Sequence, residues 1–275
     1  MLSATDPIAA RIPSRWRLAV KVLPIVALLV MAKAVIHLTD ADFIELTTLL
    51  GSVVAATVFL LGFLLAGTLT DYKESERLPG ELASSIESLA DECLITLKNK
   101  GGGVAEGAVL YVADFAAAVH RWFFREERTW AIMDRLTGMN DIFLQFESLT
   151  QPNFIVRMKQ EQNTIRRIIT RIDTIRDTSF VSAGYTIAEI ATALLFIGLL
   201  LTDIEPFYEA IFYVIAIGFF MTYLIALIRD LDNPFSYGRD DGTESADVSI
   251  KPIADLAEKL ETRAGELRAS ATEAS

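Results

Sequence analysis

From Leu46 to Thr70 the chain carries no charged side chain. That run exceeds the roughly 20 apolar residues a helix needs to cross about 30 Å of hydrocarbon. In lipid, every backbone N–H and C=O must be satisfied within the segment, so a helix is the structure this run can adopt. Three further apolar blocks accompany it. They lie at about Leu18–Leu38, Ser182–Leu201 and Pro206–Ile228. The charged residues fall almost entirely between the blocks. A hydrophobic content of 52% is therefore concentrated in spans rather than spread through a soluble core. The expected fold class is an all-α membrane protein with four transmembrane helices and a cytoplasmic helical region inserted between the second and third.

The turns within the two pairs of spans are short and acidic. His37 to Asp42 joins the first pair and Thr202 to Pro206 the second, without Lys or Arg. The opposite flanks are basic: Arg11, Arg15, Arg17 and Lys21 around the first span, Lys73 and Arg77 after the second, Arg171 and Arg176 before the third, Arg229 after the fourth. The positive-inside rule then puts both termini and the central region in the cytoplasm of a multi-pass protein of the plasma (inner) membrane. Lys21 and Lys33 are expected to snorkel from the ends of the first span, and Pro24 to kink it. The basic start followed by an apolar run is not read as a cleavable signal, since no small-residue cleavage site closes it.

This divides the chain into a cytoplasmic N-terminal segment (1–17), a transmembrane hairpin (18–70), a cytoplasmic helical region (71–181), a second hairpin (182–228), and a C-terminal loop, amphipathic helix and tail (229–275). Within the central region, Glu81 to Lys98 is amphipathic and Gly101-Gly102-Gly103 breaks it. Helices are expected over Val104–Trp130, Asp134–Leu149 and Ile155–Ile175. The last has Ile165, Ile168, Ile169, Ile172 and Ile175 on one face, a core stripe rather than a ligand box. A final amphipathic segment from Ile253 presents Leu256, Leu260 and Leu267, and the residues from Ala269 read as disordered.

Signals for catalysis are poor, and the chain is not read as an enzyme. His37 and His120 are far apart, with no ligand partners at metal spacing, and His37 reads as interfacial. The single cysteine, Cys93, reads as a buried structural thiol and excludes an intramolecular disulfide. The glycine triplet lacks the strand and the Gly-Lys-Ser/Thr of a phosphate loop. A net charge of −11 gives nucleic-acid binding no electrostatic support. No cofactor or metal is expected. Glu189, the one carboxylate inside a span, is a possible intramembrane polar site. It also lies close enough to the cytoplasmic end to be solvated there or to pair with a nearby Arg. In the second span Phe59 and Phe63 share one helix face, with Ala55 one turn earlier and Gly62, Ala66 and Gly67 nearby. Such a stripe serves as lipid-facing or core aromatics, or, in a symmetric oligomer, as stacked apolar rings that gate ions by dewetting.

Phe59-Leu60-Leu61-Gly62-Phe63, the layout of two spans, a long helical insert and two more spans, and Asn233-Pro234-Phe235 followed by Asp240-Asp241 together resemble the bestrophin family of anion channels and its bacterial relatives. Where family members follow the second span with an aromatic-basic stretch, this chain reads Thr70-Asp71-Tyr72-Lys73-Glu74-Ser75. The resemblance implies a lipid-embedded homo-oligomer, a pentamer, around a central pore. Phe59 and Phe63 would be rings of its neck, with Ala55 a smaller ring. The family's calcium clasp involves the acidic segment after Asn-Pro-Phe. Asp240 and Asp241 alone supply too few ligands for an ion that takes six to eight oxygens.

The resulting expectation is an oligomeric ion channel with chloride favoured. No fixed charge in the second span decides the sign of the ion. The alternative is a non-conducting membrane scaffold that recruits a partner through its cytoplasmic helices.

Overall fold

The computed structural model describes residues 14–45, 48–100, 102–177, 182–232, 234–235 and 247–273. Eight helices appear among them: α1 (Ser14–Leu38), α2 (Thr48–Lys100), α3 (Gly103–Phe123), α4 (Thr129–Phe146), α5 (Pro152–Asp177), α6 (Ser182–Leu201), α7 (Phe207–Leu231) and α8 (Lys251–Glu273). Two short strands, β1 (Ile44–Glu45) and β2 (Thr202–Asp203), pair in parallel with Ile44 opposite Thr202. The chain forms two compact units. One holds α1, α2 up to Tyr72, α6 and α7; the other holds α2 from Lys73, α3, α4, α5 and α8.

The first unit is built from apolar helices. Leu61 and Leu64 of α2 pack with Ala188 and Leu195 of α6 and Met221, Leu224 and Ile228 of α7. Leu18, Val22 and Val26 bury one side of α1, which lies against α7 and α6. Pro24 sits inside α1 without ending it. Five helices are long and apolar enough to cross a membrane: α1, α2, α3, α6 and α7. α3 differs from the others: half of its most apolar window is buried within the protein, against 17–22% for the rest.

The second unit has a conventional interior. The alanine-rich face of α3 (Ala105, Ala108, Val109, Val112, Phe115, Ala116, Val119, Trp122) lies between α4 and α8. Full burial of each large side chain there contributes about 1.5–3 kcal/mol. Ile165, Ile168, Ile169 and Ile172 of α5 are buried as their spacing requires, and Ile175 is half-buried. Leu256 and Leu260 of α8 are buried and Leu267 half-buried. α8 continues to Glu273, so the expectation of a disordered tail from Ala269 is corrected over the described residues: Leu267-Arg268-Ala269-Ser270-Ala271 holds no residue that stops a helix.

Two boundaries differ from the sequence reading. The second span and the amphipathic helix after it form one 53-residue helix, with Pro79 inside it. Proline there removes one i→i−4 bond, but Arg77 and Glu81 pair across the site at 2.8 Å, and Leu78, Leu82 and Ile86 are buried along one face. The expected helix Val104–Trp130 is two helices. The chain turns after Phe123, where Arg125 takes φ +62° and its N–H donates to Trp122 O at 3.0 Å. The break between α2 and α3 falls where the glycines are, with Gly102 at φ +90°, a conformation other residues resist.

Close packing fixes one more glycine. A Cβ on Gly138 would lie 2.5 Å from Tyr111 Oη, which donates to Arg135 O at 2.8 Å. Gly138→Ala is therefore expected to destabilise the second unit by about 1–3 kcal/mol through overpacking. The double variant Tyr111→Phe/Gly138→Ala should recover part of that loss, because the next ring atom is 3.6 Å away. Chemical denaturation of the four proteins of the cycle measures the coupling.

Cys93 is 1% exposed, and burial, with the adjacent Glu92 charge, pushes its thiol up to about 12. Near neutral pH, maleimide labelling of the folded protein should run at least about 100-fold slower than of the denatured chain, because thiolate and access are both suppressed. Mass spectrometry of a labelling time course checks this.

Candidate functional site

The part of α2 that belongs to the first unit has two apolar faces with different fates. Leu61 is 0% and Leu64 4% exposed in the core just described. Phe59 is 77% and Phe63 68% exposed, and they share the other face with Ser52, Ala55, Ala56, Gly62 and Ala66. Nothing lies within 4 Å of where a Cβ on Gly51 or Gly62 would stand. The polar hydroxyls along the helix are turned inward to its own backbone: Ser52 Oγ donates to Thr48 O, Thr57 Oγ1 to Val53 O and Thr68 Oγ1 to Leu64 O, at 3.0, 2.8 and 3.1 Å. The uncovered face thus presents two large rings on a bed of small residues and no fixed charge. It can pack against a like surface or narrow an aqueous path with apolar groups. It offers no group for acid–base or nucleophilic chemistry.

Glu189 stands on α6 with Oε1 2.6 Å from Arg229 Nη2 of α7, and both side chains are about half exposed. The structure therefore gives this carboxylate a cationic partner at one end of the α6–α7 pair. After α7, Pro234 is buried and Phe235 is 0% exposed, its ring 6.0 Å from that of Phe123. Phe235 is a packing residue of the second unit. Asn233, Asp240 and Asp241 lie outside the described residues. The stretch after the second span is held at Glu74, which accepts from Arg171 Nε and Nη2 at 3.0 and 2.6 Å. That bidentate pair holds the Glu74 carboxyl below its usual range.

Lys33 corrects the sequence reading. It does not snorkel; it is 0% exposed. Its Nζ donates to Thr202 O at 2.6 Å, Leu200 O at 3.1 Å and Asp42 Oδ2 at 3.4 Å. Asp42 also accepts from His37 Nδ1 at 2.9 Å, and the His37 ring stacks on Phe207 at 4.3 Å. The His37 hydrogen bond, aided by Lys33, holds the Asp42 carboxyl below its ordinary range although burial pushes it up. His37 is thus a member of a built cluster as well as a residue near a span end. The sequence signal was the odd placement of Lys33, five residues inside a helix that ends in an acidic turn. Two of its three partners come from residues 200 and 202, and only the fold brings them near.

No protein-family model matches the sequence, and no curated protein does. Among solved structures, a substituted form of a bacterial bestrophin homologue from Klebsiella pneumoniae matches at TM-score 0.72 with 14% identity, over 87% of this chain and 97% of that one. The homologue phased on zinc matches at 0.68 and 13%, over 91% and 98%. A further structure, described as a membrane protein variant, matches at 0.70 and 14%, over 90% and 98%. The chain is an all-α, multi-pass integral membrane protein. Its fold is that of the bacterial bestrophin homologues.

Proposed function

We propose that this chain forms a bestrophin-like oligomeric ion channel, with chloride favoured and with Ala55, Phe59 and Phe63 as the neck. The observation that carries the reading is the uncovered face of α2: two phenylalanines, 77% and 68% exposed, one turn apart on a helix whose other face is packed. Around a symmetry axis, such a face stacks apolar rings, and apolar constrictions gate ions by dewetting. Five copies follow from the family resemblance. α1, the first part of α2, α6 and α7 are the four spans, and α3 belongs to a cytoplasmic region, since it is the apolar helix with a protein core around it. Both termini lie in the cytoplasm and the membrane is the plasma membrane, by the basic flanks of the spans. Selectivity then comes from aromatic edges and backbone dipoles, because the neck carries no charge. In this arrangement Glu189 is a paired interfacial residue, and the segment from Asn233 to Phe235, with Asp240 and Asp241 beyond it, is the family-like junction after the fourth span.

Ion flux through the purified protein in liposomes, with chloride and potassium gradients set separately, tests the proposal. Chloride-driven flux is the expected result. Potassium-driven flux keeps the pore and reverses the ion. Silence in both from an intact oligomer overturns the channel and favours the scaffold, for which the exposed Trp130 (67%) and Leu144 (70%) of the second unit offer a recruiting surface.

A further inference from the structure

We propose that Lys33 is a positioning residue for the neck: its buried ammonium ties the start of α2 to the end of α6. The functional part of this inference rests on the channel reading; the structural part does not.

A lysine ammonium has three donors. In Lys33 each one has an acceptor, and the three acceptors come from two places. Leu200 O lies in the last turn of α6, where carbonyls lack intrahelical partners and the helix dipole is negative. Thr202 O lies in β2, one residue beyond α6. Asp42 lies in the turn that leads to β1. β1 and β2 are paired with each other, and α2 begins at Thr48, three residues after Glu45. Lys33 therefore holds the β1 side through Asp42 and the β2 side directly. Ala55, the first ring of the neck, is two turns into the helix that starts there. Such burial of a cation in a span is expensive and persists where it is fully paired. A packing residue alone would need no charge at this position.

The side chains that act on Asp42 are His37, through its hydrogen bond, and Lys33, both from α1. The α6–α7 side contributes backbone carbonyls to Lys33 and the ring of Phe207 to His37. Because the Asp42 carboxyl is held down in the folded state, its contribution is present above the ordinary aspartate range and is lost only as pH falls through the lowered value. The tie is therefore a fixed strut at neutral and mildly acidic pH.

Hydrogen exchange of the full-length protein in liposomes tests this, reading residues 48–54 against residues 105–119 of α3 in the same sample. In Lys33→Met, amides at 48–54 should exchange at least about tenfold faster relative to α3, as a locally released segment does. Asp42→Asn should move them the same way, and the wild-type ratio should stay flat between about pH 5 and pH 8, above the range in which the Asp42 carboxyl takes up its proton. An unchanged ratio in either variant, or a wild-type ratio that drifts over that pH range, overturns the strut. If Lys33→Met fails to assemble, Asp42→Asn and the wild-type pH series decide. Flux is read on the same vesicles. Silence of the wild type defeats the channel reading and leaves the exchange result to judge the strut. Faster exchange with wild-type flux in the variants overturns the positioning role at the neck.

Discussion

Alanine at both Phe59 and Phe63 is expected to leave the protein folded and to raise ion flux in liposomes by about tenfold or more, equivalent to about 1.4 kcal/mol off a permeation barrier. The argument turns on which face of α2 the rings occupy. Both are largely exposed in the chain, so truncation removes little of the packing that holds the first unit together. In a ring of subunits the two side chains would instead set the width and wettability of the path, and smaller apolar groups let water in. Leu61 is the control, an apolar residue two positions from each ring and on the opposite face of the helix. It is 0% exposed between α6 and α7. Leu61→Ala should cost about 2–5 kcal/mol in stability, with flux per folded oligomer little changed. Thermal unfolding in detergent and flux in liposomes separate the two effects. If the Phe59/Phe63 variant unfolds while its flux per oligomer stays at the wild-type level, the rings are packing residues and the neck assignment is lost.

The parts of this protein that were legible in the sequence are those set by solvent. Ser182–Leu201 is an apolar block whose one charged residue is Glu189, and α6 occupies those residues. The isoleucine stripe of α5 was legible because its period of three and four residues admits one solution. What could not be read required knowledge of neighbours. The joining of span and amphipathic helix into α2 depends on Pro79 being tolerated, which local propensity disfavours and the buried row Leu78, Leu82, Ile86 supports. Lys33 was assigned to the interface because a lysine near a span end commonly reaches water. Its true environment is made by carbonyls 167 and 169 residues away in the chain. The stripe Phe59–Phe63 was legible as a stripe; which of its alternatives holds depends on the face, and only the packing of Leu61 and Leu64 shows the rings to be on the uncovered one.

Trp122→Ala should destabilise the second unit by about 3–5 kcal/mol, whereas Trp130→Ala should change it by no more than about 0.5 kcal/mol. Read as one helix through Val104–Trp130, the two tryptophans belong to the same aromatic-rich end. The turn after Phe123 parts them. Trp122 remains on α3, 1% exposed, while Trp130 opens α4 and is 67% exposed. Trp122 also organises polar groups from two other elements. Its Nε1–H donates to Thr129 Oγ1 at 2.9 Å, and that hydroxyl donates to Asp173 of α5 at 2.5 Å. The Arg176 guanidinium lies over the indole, 5.0 Å from the ring centroid. Truncation therefore removes a large buried ring and one member of a chain joining α3, α4 and α5. Trp122→Phe should fall between, keeping most of the volume and losing the donor, at about 1–3 kcal/mol for the unsatisfied group left behind. Thermal denaturation followed by circular dichroism ranks the three. A Trp130 variant as unstable as the Trp122 one would mean that the exposed indole is covered in the assembled protein, which would place an intersubunit or partner contact on α4.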